Sequence, residues 1–497
     1  MFKETIENNA EVKANTKELE VLKKHFPSCF DKEGKFDIKI FEELVKTEEI
    51  DIKKEGYSLN FLGKSYARYL SSLDSETVIV PDENNNDIDS ENIYIVGDNL
   101  DALQHLKYSY SEKIKCIYID PPYNTGSDGF VYNDKFEFSA EELAKKINIE
   151  DDEAERILNM QGKSTHSAWL TFMYPRLELA KELLSDDGVI FISIDDNEQA
   201  NLKKLCDEIF GESNFITCCT RIAKRTSNKG NYFKPTKDYV LVYAKNIISI
   251  NWKFGVENEI ELKDYIYEDD RGRYKKNGAS LYQPSLSSRP NQRYWIECPD
   301  GSFIIPPGNI FPEKIEDAAF VKPESNEDKV WRWSWPTYLA NKDKLIFTPA
   351  SSTCPLIDSN GKPSKWNIYD KVYLDDKIGE TLLPEDVIYK FVNSQGTKEL
   401  LDLGIPFSFA KPSELIKYLI KICLYKKDII VLDFFSGSAT TAHAVMQLNA
   451  EEGGNRKFIM VQLPEETDEK SEAHKAGYKT IDEIGRERIR RAAAKIK

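Results

Sequence analysis

IIVLDFFSGSATTAHAV, residues 429–445, is the stretch on which the fold turns. Apolar residues Ile429 to Leu432 lead to Asp433, small residues Ser436, Gly437, Ser438 and Ala439 form a loop, and a helical pattern starts near Thr440. A buried strand, a tight loop and a helix make one step of an open α/β sheet, where ligands bind beyond the carboxyl ends of the strands. Small residues let the backbone approach a ligand, and a helix N-terminus favours negative groups. The loop lacks both Gly-Lys-Ser/Thr and GxGxxG, so phosphate is not the indicated ligand. Taken alone, the segment equally suits an ordinary Gly-Ser turn.

Outward from this stretch the same rhythm recurs. A helix over 412–425 precedes it and the strand KFIMVQL (457–463) follows. Upstream come strand IYIV (93–96), a helix from GDNLDALQHL, strand IKCIYI (114–119), helix WLTFMYPRLELAKELL (169–184) and strands GVIFISI (188–194) and DYVLVYA (238–244). Short apolar strands alternating with helices predict an α/β fold with a parallel sheet. Between 246 and 405 the rhythm stops, and Pro, Gly, Trp, Tyr and Asn dominate. Residues 1–85 read as helical, as in TKELEVLKKHF and KIFEELVKTEE, before the polar linker Asp82–Asp89. Four segments follow: a helical lead (1–85), a first α/β half (86–245), an insert (246–405) and a second half (406–497) ending in the basic helix RERIRRAAAKIK.

The chain has 497 residues, 40% hydrophobic and 31% charged, with a net charge of −16, which suits a folded protein and excludes a uniformly basic nucleic-acid coat. Apolar runs such as Val189–Ile194 and Tyr239–Tyr243 fall short of the roughly 18 residues a membrane helix needs, and MFKETIENNA carries no secretory signal. Eight cysteines without a CxxC and five scattered histidines offer no zinc spacing, so no metal is expected and the thiols read as reduced and cytoplasmic. Charge is uneven. Residues 1–100 carry 13 basic and 22 acidic side chains (−9), whereas 221–300 carry 15 and 10 (+5). Arg221, Lys224, Arg225, Lys229, Arg289 and Arg293, interleaved with Tyr232, Phe233, Tyr294 and Trp295, suit phosphate contact and base stacking.

A second chemical segment, Asp120-Pro121-Pro122-Tyr123, closes the strand at 114–119. Two prolines stiffen the turn and remove two backbone donors, leaving carbonyl acceptors. Asp120 adds a carboxylate acceptor and Tyr123 an aromatic face, a set that suits a planar amine such as an extruded base.

Together, IYIDPPYNTG and DFFSGSATT resemble S-adenosylmethionine-dependent amino-methyltransferases of DNA, in the group whose catalytic tetrapeptide precedes the cofactor loop. The segments IYIVGDNLDALQHL, FAKPSELI and NRKFIMVQLPEE bring the resemblance closer to the modification subunits of type III restriction systems. It implies a Rossmann-like class I methyltransferase sheet interrupted by a target-recognition domain, with S-adenosylmethionine as cofactor. It further implies double-stranded DNA as partner, a homodimer and an associated restriction subunit (endonuclease/helicase).

By the same resemblance, Asp120 and the Pro121 carbonyl accept hydrogen bonds from the target amine, Pro122 completes the rigid turn and Tyr123 stacks on the base. Phe435 lies against the cofactor's adenine, and Asp433 and Gly437 hold its methionine end with Ser436 and Thr440 nearby. Glu465 is the ribose partner, Asp98 lies on the pocket wall, and Lys411 and Pro412 close it. The family's second loop glycine is Ala439 here, which costs roughly 1 kcal/mol or more of strain if φ there is positive.

Asp before PPY goes with adenine N6 in this group, and Ser with cytosine N4; cytosine N4, a stand-alone adenine methyltransferase, RNA or protein methylation and a silent DNA reader remain alternatives. The run Asp195, Asp196, Asn197, Glu198 resembles a metal-binding run but follows a strand and begins a helix, and reads as capping and loop structure.

Overall fold

A computed structural model describes residues 2–31, 33–45, 58–83, 89–126, 130, 132, 138–227, 230, 232–250, 254–257, 260–278, 280–283, 290–351, 354–423 and 427–496. Eight strands form one sheet: β1 (Ile93–Val96), β2 (Ile114–Ile119), β3 (Leu184–Ile194), β4 (Phe215–Ile222), β5 (Lys237–Ala244), β6 (Val387–Ile388), β7 (Ile430–Asp433) and β8 (Lys457–Gln462). Their order across the sheet is β1-β8-β7-β2-β3-β5-β4-β6. Only β5 runs against its neighbours β3 and β4; the remaining pairs are parallel.

The apolar runs of β2 and β3 are continuous because a mainly parallel sheet is covered on both faces. Ile117, Ile119, Ile190 and Ile192 are fully buried. The helix His166–Leu183, capped by the Thr165 hydroxyl, adds Trp169, Met173, Leu177 and Ala180 to the same core. Among the N-terminal helices, Lys64–Ser72 is tied to this layer at its start, where Thr171 Oγ1 donates to the Leu62 carbonyl at 3.1 Å. Residues 46–49 of the stretch KIFEELVKTEE and 84–88 of the polar linker lie outside the described residues.

The chain divides into two compact units, residues 1–255 with 383–497, and residues 256–382. The second is narrower than the 246–405 read from composition. Strand β6, which pairs Val387 with Thr220 and Ile388 with Arg221, joins the large sheet and carries its flanking segment with it. A two-residue strand leaves no periodicity to read.

The smaller unit contains a four-stranded antiparallel sheet built from Leu345–Pro349, Trp366–Tyr373, Gly272–Lys276 and Tyr267–Asp269. Tyr294, Ile296, Trp331, Tyr338 and Ile368 fill its core, with Trp333 and Trp335 packed alongside. Trp331 ends a two-residue strand and Trp335 begins a helix, so tryptophans from two elements and the turn between them build this core. Among the described residues no helix is long and apolar enough to cross a membrane.

Candidate active site

Strand order brings the chemistry-bearing residues together. The adjacent strands β1, β8, β7 and β2 end one after another in Asp98, Glu465, Asp433 and Asp120, each at or just beyond a carboxyl end. Strands β7 and β2 are hydrogen-bonded neighbours, with Val431 opposite Cys116 and Leu432 opposite Ile117. Loop 433–440 and tetrapeptide 120–123 therefore share one edge.

The tetrapeptide forms a rigid corner. The Tyr123 hydroxyl donates to Asp120 Oδ1 at 2.8 Å, and Trp169 Nε1 holds the Pro122 carbonyl at 2.7 Å. Burial, then the nearby Asp120 carboxylate, keep the Tyr123 phenol well above its ordinary value, so it stays a donor. Asn124 follows at φ +57° and Gly126 at +71°, turning the chain away from the corner. Lys411, expected to help close the cofactor pocket, is engaged at this corner. Its ammonium reaches across to Asp120 Oδ1 (2.7 Å), Asp120 Oδ2 (2.6 Å) and the Tyr123 hydroxyl (2.8 Å).

On the other side, Asp433 is buried, accepting from the Phe435 amide at 3.1 Å and the Thr441 hydroxyl at 2.5 Å. Burial pushes its carboxyl up to about 7, against the lowering effect of those two hydrogen bonds. Gly437 has φ +50°, and a Cβ there would meet nothing within 4 Å, so the loop has an open flank; its amide donates to Gln462 Oε1 at 2.6 Å. Asp98 caps the helix Asn99–Tyr110 through the Leu100 and Asp101 amides. Glu465 is exposed on the turn after β8, and its amide donates to the Leu463 carbonyl.

Three buried side chains to which the sequence reading gave no site role brace this edge. Arg176 is fully buried, donating to Asn99 Oδ1, the Phe172 carbonyl (2.7 Å) and Asp98 Oδ2 (3.2 Å), while Asn99 holds the Phe434 carbonyl at 2.9 Å. Glu198, in the acidic run read as capping, is also fully buried; it accepts from Asn124 Nδ2 (2.6 Å) and Asn201 Nδ2 (2.8 Å) and contacts His166 Nδ1 (2.7 Å). It thus fixes the residue after the tetrapeptide. Arg488, from the C-terminal basic helix, is buried against loop 433–440, donating to Thr440 Oγ1 (2.7 Å), Ser438 Oγ (3.2 Å) and Glu399 Oε2 (3.1 Å). A charged residue at the buried period of a helix is the one signal the sequence held for Arg176 and Arg488.

With this geometry in hand, the relatives fall into one group. A DNA methylase family covering N6 and N4 enzymes matches residues 114–473. The EcoPI Mod subunit of a type III restriction-modification enzyme, from Escherichia phage P1, is 41% identical over 98% of this chain and 76% of its own length. The StyLTI Mod subunit of Salmonella typhimurium and the EcoP15I Mod subunit of Escherichia coli are each 38% identical over 100% of this chain, covering 74% and 78% of their lengths. The chain belongs to the Mod subunits of type III restriction-modification systems. It is a DNA methyltransferase.

Two of the arginines expected at DNA in this methyltransferase are structural instead. Arg221 is fully buried in β4, paired with Asp238 and donating to the Phe391 carbonyl at 2.9 Å and Asn393 Oδ1 at 2.8 Å. Arg293 is fully buried in the smaller unit, donating to the carbonyls of Ile310, Pro306, Pro307 and Lys329. Desolvation pulls its guanidinium down to about 10. A basic run in sequence does not reveal which cations the fold needs for itself. Tyr294 and Trp295 are likewise buried, whereas Lys224, Arg225, Tyr232 and Phe233 are exposed. Lys229 and Arg289 lie outside the described residues.

Ala439 adopts φ +56°, ψ +43°, the left-handed conformation that glycine takes without strain. The strain is roughly 1–2 kcal/mol. Glycine there would lose about 0.8 kcal/mol of buried methyl and roughly 0.5–1 kcal/mol to unfolded-chain entropy. Ala439 is fully buried, so these opposing effects nearly cancel. Ala439→Gly is expected to unfold within about 1 kcal/mol of the parent in chemical denaturation; a larger gain would mean the loop is more strained than its dihedrals indicate.

Proposed function

We propose that this methyltransferase modifies N6 of an adenine turned out of duplex DNA, with S-adenosylmethionine as donor. The proposal rests on one juxtaposition: the acceptor corner at Asp120 adjoins the loop at Asp433 on neighbouring strand tips. The loop suits that cofactor. Gly437 leaves an open flank, Asp433 offers a buried carboxylate for the methionine end, and Phe435 offers a partly buried ring. Ser436, Thr440, Glu465 and Asp98 complete the proposed contacts. The bound cofactor supplies an electrophilic methyl on a sulfonium.

The protein's own work is to make a poor nucleophile reactive. An exocyclic amine shares its lone pair with the ring. Hydrogen bonds from its two N–H groups to Asp120 and the Pro121 carbonyl hold the nitrogen towards tetrahedral geometry, and the Tyr123 ring gives the base a stacking face. The resemblance gives this role to the Pro121 carbonyl, while Trp169 Nε1 braces the neighbouring Pro122 carbonyl. Positioning supplies most of the acceleration. The proton left on nitrogen after transfer goes to Asp120 or solvent. Attack through a cysteine, as cytosine C5 chemistry requires, has no support: burial raises Cys116 to about 12 and Cys219 to about 11.

Lys224, Arg225, Tyr232 and Phe233, on the connection from β4 to β5, are proposed to meet DNA. That connection leaves from the same sheet edge, because Ile192 pairs both with Ile119 and with Leu241 while Ile194 pairs with Tyr239. The insert serves as target-recognition domain, and a homodimer with a restriction subunit is the proposed assembly. Modification-sensitive sequencing of DNA from cells expressing this chain tests the reading. N6-methyladenine at a defined motif is expected; N4-methylcytosine there would replace the adenine assignment, and unmodified DNA would refute the activity.

A further inference from the structure

The Lys411 ammonium donates to both oxygens of Asp120 and to the Tyr123 hydroxyl, at 2.6–2.8 Å. Both side chains are mostly buried, with exposures of 11% for Lys411 and 26% for Asp120. An ammonium is a tetrahedral, cationic nitrogen bearing three hydrogens. The target nitrogen of an amino-methyltransferase becomes tetrahedral and cationic as it accepts a methyl group. A corner that holds the first so closely is shaped for the second, and complementarity to the reacting state rather than to a planar amine is what accelerates a reaction.

The lysine is placed there by the fold. Its carbonyl accepts from Thr440 Oγ1 at 3.3 Å, at the start of the helix behind the cofactor loop. Gly396 leaves room for that stretch of backbone, since a Cβ on it would come within 2.7 Å of the Lys411 carbonyl. Among the described residues, the groups facing the corner from neighbouring strands are Tyr118, Asp433 and the Arg221–Asp238 pair, and none is a second ammonium.

We propose that Lys411 is an internal stand-in for the reacting nitrogen: its ammonium fills the amine subsite at Asp120 and Tyr123 until an extruded base displaces it. This rests on the adenine-N6 reading of the site. Because the base must compete with a tethered ligand, its apparent affinity is lowered by the fraction of molecules in which the corner is filled.

The test uses the full chain and a duplex carrying the motif found by sequencing. In Lys411→Ala, the KM for DNA is expected to fall at least about fivefold, while affinity for S-adenosylmethionine changes less than about twofold. Ethylammonium should then restore the block, raising KM for DNA in the variant but not in the parent, and competing with DNA alone. Tetramethylammonium, which has no N–H, should do nothing. Thermal melting of the variant confirms folding. An unchanged or higher KM in Lys411→Ala, or no response to ethylammonium, overturns the proposal; a tenfold loss of cofactor affinity overturns it in favour of a cofactor lid. Failure of the adenine reading would look different, since the parent itself would then methylate no adenine.

Discussion

Asp120→Ala lowers the single-turnover rate of methyl transfer by about a thousandfold or more, while S-adenosylmethionine still binds within about twofold; this is the expected result, and it follows from where the carboxylate sits. A positioned group that also takes up a proton contributes roughly 10²–10⁴-fold, and misplacing the nucleophile removes part of the positioning effect as well. Asp120 does both in the proposed mechanism. It also anchors Tyr123 and Lys411, so alanine leaves a phenol and an ammonium without the acceptor they share. Asp433, Phe435 and the loop helix draw their hydrogen bonds from elsewhere, which is why cofactor affinity is spared. Asp120→Asn is the informative partner, because an amide oxygen still accepts one N–H and leaves partial activity. Parental rates in Asp120→Ala under single-turnover conditions would remove the carboxylate from the mechanism.

The backbone of this account was legible in the sequence because strand ends leave a plain signature. Apolar runs closing on Asp433 and Asp120 placed both segments at carboxyl ends, and those two strands are neighbours in the sheet. What stayed hidden depends on long-range packing. Arg221 and Arg293 looked like phosphate contacts because charge in sequence carries no record of burial, and only the folded chain puts Asp238 or a ring of carbonyls around them. Glu198 lay in a run read as capping and loop structure, yet the helix Gln199–Phe210 carries no side-chain cap: Asp195 accepts from the Asn197 amide in a turn, Asp196 pairs with Lys237, and Glu198 turns inward to Asn124. Lys411 is separated from Asp120 by 291 positions, and no local pattern announces that contact.

Arg488 shows the same limit most sharply, and its removal carries the largest expected loss of stability. It reads as one cation among several in a basic helix, yet it is fully buried, and desolvation draws its guanidinium down to about 10 with Glu399 opposing. It joins three parts of the methyltransferase half: Glu399, which also accepts from the Ser413 amide, the loop hydroxyls of Ser438 and Thr440, and His443. The His443 ring, lowered to about 3 by burial and then by Arg488, is neutral and accepts from the guanidinium. Breaking a buried pair by deleting one partner costs about 3–5 kcal/mol, since the other charge is left desolvated. Arg488→Met is therefore expected to lose about 3–5 kcal/mol in chemical denaturation and to weaken S-adenosylmethionine binding more than tenfold through the freed loop. Adding Glu399→Gln should recover part of the stability loss, because the double variant buries no unpaired charge, but not the cofactor affinity, because Ser438 and Thr440 remain unheld. If Arg488→Met unfolded within 1 kcal/mol of the parent, or if both losses were recovered together, the guanidinium would be filling space at the loop rather than holding it.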